Sequence, residues 1–165
     1  MEQRPKLKLH LSNFDILLEV MGWLILSLIW IYVLIKYTTL PETIPTHYNL
    51  SGEADDFGSK ITILTLPLIA TFIFIGLTVL NKYPHIFNYP TQITQKNALE
   101  QYTIATGMIR VLKLMVVIVF GLIALQTIRN TGSQANSLGS WMLPVTMGMI
   151  FLPLIYFIVK MVKTK

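Results

Sequence analysis

Cysteine is absent from the 165 residues, which excludes disulfides, thiolate nucleophiles and zinc–cysteine clusters and leaves the redox compartment undetermined. Charge is scarce as well. Asp, Glu, Lys and Arg make up 13% of the chain against 53% hydrophobic residues, with a mean hydropathy of +0.60, whereas about a quarter of the residues of a soluble domain are charged. An ordinary soluble protein is excluded. Acidic residues number 8 against 13 basic ones, but the basic residues flank hydrophobic runs and form no patch of their own. The excess therefore carries no nucleic-acid reading.

What the chain has in quantity is hydrophobic length. Crossing a hydrocarbon core of about 30 Å takes about 20 mostly apolar residues, and four stretches qualify: residues 16–37, 61–80, 108–128 and 138–162. The expected fold is all-α and integral to the membrane, a four-transmembrane-helix bundle forming one polytopic domain over residues 1–165. Arg4, Lys6 and Lys8 precede the first run. That run is too long for the apolar region of a signal peptide and no A-x-A-like site follows it, so it is expected to stay as an anchor.

Orientation follows from the basic residues at the span ends. With a cytosolic N-terminus, one side holds Arg4, Lys6, Lys8, Lys82, Lys96, Arg110, Lys113, Lys160, Lys163 and Lys165, and the other only Lys36, Lys60 and Arg129. The positive-inside rule then predicts a multi-pass protein of the cell (inner, cytoplasmic) membrane with both termini cytosolic. Loop 38–60 faces outward and loop 82–94 inward.

Local signals fill in the spans. Asn13 is expected to cap the first helix and Asp15 to suit its positive end. Trp23 and Trp30, seven residues apart, share a face that should pack on a neighbouring helix. Pro67, Pro144 and Pro153 are expected to bend the second and fourth spans. The aromatic inner segment Tyr83, His85, Phe87 and Tyr89 suits the headgroup level. Ala98, Tyr102 and Ala105 share a face, so the third helix should begin in the cytosol and run into the membrane.

Two groups of residues could carry chemistry. In the outer loop, Pro41 and Pro45 stiffen the chain, Asn49, Ser51 and Gly52 make a turn, and Ser59 is expected to cap the second span. A hairpin-like cap would bring His47 near Glu53, Asp55 and Asp56. A divalent cation there would lack any recognised ligand spacing, and a catalytic His–Asp pair would lack a nucleophile in a motif. The remaining readings are structural and recognition roles. In the first, Asn49, Asp55 and Asp56 satisfy backbone N–H groups, His47 bonds to one of the three, and Tyr48 and Phe57 pack the loop onto the bundle. In the second, the loop surface meets an external ligand. The other group lies toward the inner face: Asp15 and Glu19 are one turn apart on the first span, Arg110 and Lys113 nearly so on the third. These spans run in the same direction at matching depth, which allows interhelical ion pairs, snorkelling being the alternative.

The pattern of Pro41, Ile44, Pro45, His47, Tyr48, Asn49, Gly52, Asp55, Gly58, Ser59 and Lys60 resembles the signature of the bacterial membrane family known as domain of unknown function 1648. That family is similar to the N-terminal part of SdpI-type immunity proteins, which protect producing cells from membrane-active peptide toxins. Tyr83-Pro84-His85, Asn88-Tyr89-Pro90, Asn97 and Tyr102 also resemble family members. The resemblance implies an integral membrane protein and no particular reaction; the further C-terminal membrane domain of the larger immunity proteins is not expected here.

The expected function is accordingly non-enzymatic: recognition of a ligand or toxin, or an envelope-stress or immunity role, through the outer loop. The alternatives are a transporter-like or proton-coupled subunit using Glu19 and Arg110, and a membrane metalloenzyme built on His47 and Asp55. No cofactor is expected. The expected partners are the lipid bilayer, an extracytoplasmic peptide or small ligand, and a cytosolic regulator, with no nucleic acid.

Overall fold

The computed structural model describes residues 4–131 and 137–164. The protein is mostly helical: α1 (Asn13–Tyr37), α2 (Thr65–Leu80), α3 (Ala98–Asn130) and α4 (Met142–Lys163), with a hairpin of β1 (Thr43–Tyr48) and β2 (Ala54–Ser59) between α1 and α2. The four helical spans, the second including the 3-10 turn Lys60–Leu64 that leads into α2, are long and apolar enough to cross a membrane. This is a multi-pass membrane architecture. The spans alternate in direction, so the hairpin and the α3–α4 connection lie at one end, and the N-terminal segment and the α2–α3 connection at the other.

Helix α1 begins one residue earlier than Asn13 suggests. Ser12 is the cap: its hydroxyl accepts from the Asp15 N–H at 3.1 Å, while the Asp15 carboxylate takes the Ser12 N–H at 2.9 Å. This reciprocal box satisfies two otherwise orphaned donors. Asn13 is the first helical residue instead.

The prolines also sit differently from expectation. Pro67 and Pro144 both fall in the first turn of their helices, where a missing N–H costs nothing. Pro67 follows the 3-10 turn and is buried. Only Pro153 lies inside a helix. The fourth helix starts at Met142, later than hydropathy alone suggested, and the third runs 33 residues from Ala98, ahead of its apolar stretch as the shared face of Ala98, Tyr102 and Ala105 predicts.

Helix α3 is the centre of the bundle and touches α1, α2 and α4. Trp23 packs edge-on to Phe74 at 4.9 Å and the Trp30 indole N–H donates to Thr71 at 3.0 Å, so both tryptophans face α2. Gly22 makes this approach close: a Cβ there would stand 2.4 Å from the Phe74 ring. At the other end of α3, the buried Gln101 amide donates to the Met161 carbonyl at 2.9 Å and to that of Thr164, tying α3 to the end of α4. Apart from such ties α4 buries little, only Met142 and Met161, which leaves most of its apolar surface to lipid.

Candidate functional site

The loop after α1 is a two-stranded antiparallel hairpin, in which Thr43 pairs with Ser59, Ile44 with Gly58, Pro45 with Phe57, His47 with Asp56 and Tyr48 with Ala54, with register shifts on either side of His47. An isolated hairpin is marginal in water; this one is held at four points. Leu40 and Ile44 are buried with Val33, Ile63, Ala124 and Ile128 in one apolar cluster. The Tyr48 hydroxyl donates to Thr127 of α3 at 3.0 Å, and burial pushes its pKa up, partly opposed by that bond. Lys60 pairs with Glu42 at 2.9 Å and lies over the Tyr37 ring at 5.4 Å. The fourth point is the turn.

Asn49 builds that turn. Its side-chain oxygen accepts from the N–H groups of Ser51 at 2.9 Å and Glu53 at 3.0 Å, and the Gly52 N–H returns to the Asn49 carbonyl at 2.9 Å. Gly52 has φ +78 and faces Gly139, φ +85. The Gly52 carbonyl accepts from the Leu138 N–H at 2.7 Å and the Ser137 hydroxyl at 2.9 Å. The hairpin tip is thus bonded to the segment that leads into α4, a link that nothing in the spacing of residues 40–60 could have revealed.

Other roles differ from expectation. Ser59 makes no side-chain cap; it is the last residue of β2 and lends its carbonyl to the Thr62 hydroxyl at 2.8 Å. Asp55 and Asp56 bond side chains, not backbone: Asp55 meets His47 Nδ1 at 2.6 Å and Asp56 accepts from Thr46 at 3.1 Å. Phe57 does not pack on the bundle. It is exposed, as is Leu50. Gly58 lies against Thr46, whose methyl group would stand 3.0 Å from a Cβ. The His47 and Asp55 side chains remain 68% and 43% exposed, so this pair holds no part of the core. Among the described residues no group of three or more His, Asp or Glu side chains is placed to hold a metal ion.

The second constellation lies at the opposite end of the bundle. Arg110 Nη1 donates to Asp15 at 3.2 Å, and Lys113 Nζ meets both oxygens of Glu19, at 2.6 and 2.8 Å. Arg110 Nε stands 3.5 Å from Glu19 but makes no hydrogen bond. The Lys113 side chain is wholly buried, which rules out snorkelling for it. Two residues of α2 complete its surroundings: the Thr78 hydroxyl at 2.7 Å and the Phe74 ring at 4.4 Å. Sequence reasoning missed both. The available signal was a threonine inside an apolar span, where hydroxyls look for partners across helices.

Beside this network is a cavity of about 390 Å³, lined among others by Glu19, Thr78, Asn81 and Arg110 and, from the segments outside the helices, by Lys8, Lys82 and Leu11. The N-terminal segment forms one wall. It is pinned by Arg4, which donates to the Phe87 carbonyl at 2.6 Å and lies over the Tyr89 ring at 5.6 Å. Tyr89 in turn donates to the Pro84 carbonyl at 2.8 Å, and burial pushes its pKa up.

Residues 24–71, which run from α1 through the hairpin into α2, match the family model described as Domain of unknown function (DUF1648). The motif resemblance therefore holds over that segment. An uncharacterized protein of Archaeoglobus fulgidus is 38% identical over 73 residues, covering 39% of this chain and 40% of the relative. The chain thus matches less than half the length of that relative. No solved structure matches.

Proposed function

We propose that the protein is a recognition protein of the cytoplasmic membrane, with both termini cytosolic and the hairpin outside, and that the face bearing His47, Asp55, Leu50 and Phe57 meets an extracytoplasmic peptide or small ligand. One observation carries this reading. The hairpin is fixed to the bundle through Ile44, Tyr48, Lys60 and Gly52, while its polar pair and two large apolar side chains stay exposed and anchor nothing. Rigid presentation lowers the ordering cost of binding, and exposed apolar groups rimmed by charge mark interaction surfaces. An immunity or envelope-stress role is the physiological form of this reading.

The test is growth of cells lacking the gene under a panel of membrane-active peptides and envelope-damaging agents, complemented with wild type, His47→Ala or Tyr48→Phe. Recognition predicts that His47→Ala loses protection at wild-type abundance and melting temperature. A fall in stability together with protection would reduce the hairpin to a structural lid, and metal lost with His47→Ala would favour the metalloenzyme.

A second reading, a transporter-like or proton-coupled subunit, is favoured by a different observation: the wholly buried Lys113 paired with Glu19 within a span. Intramembrane ionisable residues commonly mark ion or proton paths. Proton flux into liposomes that is lost in Glu19→Gln would place this reading first.

A further inference from the structure

The N-terminal segment is held at its two ends and nowhere between. At one end the exposed Arg4 donates from Nη1 to the carbonyls of Phe87 at 2.6 Å and His85 at 3.3 Å, with its guanidinium over the Tyr89 ring at 5.6 Å. At the other, Asp15 takes the Ser12 N–H at 2.9 Å and hydroxyl at 2.7 Å on one carboxylate oxygen, and Arg110 on the other. Residues 5–11 make no hydrogen bond to any described residue. A stretch without backbone bonds of its own opens at far lower free energy than the helices it covers.

What this segment covers is the cavity of about 390 Å³ beside the ion network: Leu7, Lys8, Leu9 and Leu11 line it from the segment, Glu19 and Thr78 from the helices. The Glu19 side chain is 23% exposed, whereas Lys113 behind it is wholly buried. Toward the hairpin the path closes. The Phe74 ring lies 4.4 Å from the Lys113 ammonium, and Phe74 continues into a buried cluster with Leu26, Ala70 and Val117, four apolar side chains that offer water or an ion no partner. The network is therefore reached from the end of the bundle that carries the termini and sealed toward the other.

We propose that residues 4–12 are a strap that gates the entry of water and small polar solutes to the Glu19–Lys113 network from that end, with Arg4 as its latch. Freeing Arg4 releases the strap from the α2–α3 connection, while Ser12 and Asp15 keep the α1 end in place. The wall then swings away from the cavity without unfolding the bundle. Access is a property of this wall alone, and it is the same whether or not the network carries protons.

Single cysteines in the cysteine-free full-length protein, purified in detergent, report the opening through their rate of modification by a small hydrophilic methanethiosulfonate. Thr78→Cys lies on the cavity, Leu26→Cys in the sealed cluster and Lys82→Cys at an exposed position of the cavity rim. Adding Arg4→Gln should speed modification at Thr78→Cys roughly tenfold, the factor that losing one charged hydrogen bond implies, and leave the other two rates unchanged. Arg4→Lys, which keeps a cation for the Tyr89 ring, should restore most of the slow rate, and Lys163→Gln, a loss of charge on α4, should change none of the three. An unchanged rate at Thr78→Cys overturns the latch. An equal rise at Leu26→Cys would mean that the whole bundle has loosened, and with it the proposal falls. Hydrogen exchange on the wild type tests the strap without any variant: the amides from Lys6 to Leu11 should exchange almost unprotected while those of α1 stay slow, and slow exchange along the segment would make it a fixed wall.

Discussion

The ammonium of Lys113 lies 2.6 and 2.8 Å from the two carboxylate oxygens of Glu19. Breaking a buried pair from one side leaves a charge without compensation and costs about 3–5 kcal/mol, whereas removing both sides is often nearly neutral. Lys113→Met and Glu19→Gln are each expected to lower the unfolding free energy in detergent by an amount near the low end of that range, since Glu19 is partly exposed. The double variant should recover much of the loss. Glu19→Gln combined with Arg110→Met should recover less, because Arg110 hydrogen-bonds Asp15 instead. A double-mutant cycle measures both couplings; strictly additive losses for Glu19 and Lys113 would contradict the pairing.

Two tyrosines make stability sensitive to alkali. Burial raises the pKa of Tyr48, in the hairpin, and of Tyr89, in the connection between α2 and α3, above the ordinary value of about 10. A phenol whose folded pKa lies above its unfolded one stabilises the fold fully below pH 10 and loses that contribution as pH rises through the folded value. Unfolding free energy should fall above about pH 10, and Tyr48→Phe and Tyr89→Phe should each flatten that fall. At neutral pH the first should cost only about 0.5–1.5 kcal/mol, from the lost bond to Thr127. Denaturant titrations at stepped pH give both numbers, and an unchanged alkaline slope in both variants would count against the burial argument.

The helices were legible in the sequence because a bilayer demands a fixed apolar length, and Trp23 and Trp30 announced a packed face by their spacing alone. Helix ends were less legible. The first three turns of α3 bury Ala98, Gln101, Tyr102 and Ala105 against other parts of the protein, so hydropathy does not mark them and only the shared face of Ala98, Tyr102 and Ala105 does. The strands were hidden for another reason: Pro45, Asp55, Asp56 and Gly58 have low strand propensity, and this pairing exists because the bundle holds both ends. Asp15, Glu19, Arg110 and Lys113 could be placed at one depth from the sequence. Which acid meets which base could not, since that depends on helix rotation and on the Thr78 and Phe74 side chains of α2.

Arg110 and Lys113 are enclosed within the bundle, so they are not the solvent-facing loop charges that orientation weighs. Without them the count of basic residues is still eight on the side of the termini, Arg4, Lys6, Lys8, Lys82, Lys96, Lys160, Lys163 and Lys165, against Lys36, Lys60 and Arg129. The proposed orientation predicts that a membrane-impermeant thiol reagent applied to intact cells modifies a cysteine placed at Glu53 and not one placed at Lys163. The cysteine-free background makes the assay clean. Labelling in the opposite sense would reverse the topology.

Gly52 offers the sharpest test of the link between the hairpin and the segment before α4. Its φ of +78 lies in the left-handed region, where a side chain is strained, and a Cβ would stand 2.8 Å from the Gly139 carbonyl oxygen. Neither atom is the end of a flexible side chain, so the backbone itself must move. Gly52→Ala should therefore cost more than the roughly 1 kcal/mol of an ordinary left-handed substitution, and it should loosen the bonds from Leu138 and Ser137 to the Gly52 carbonyl. Hydrogen exchange should speed up at Leu138 and at the Asn49 turn while the amides of α1 and α3 stay protected. If protection falls evenly across all four helices, the hairpin is part of the bundle's global unfolding unit. A variant as stable as wild type, with Leu138 still protected, would show that the tip does not clasp the α3–α4 connection.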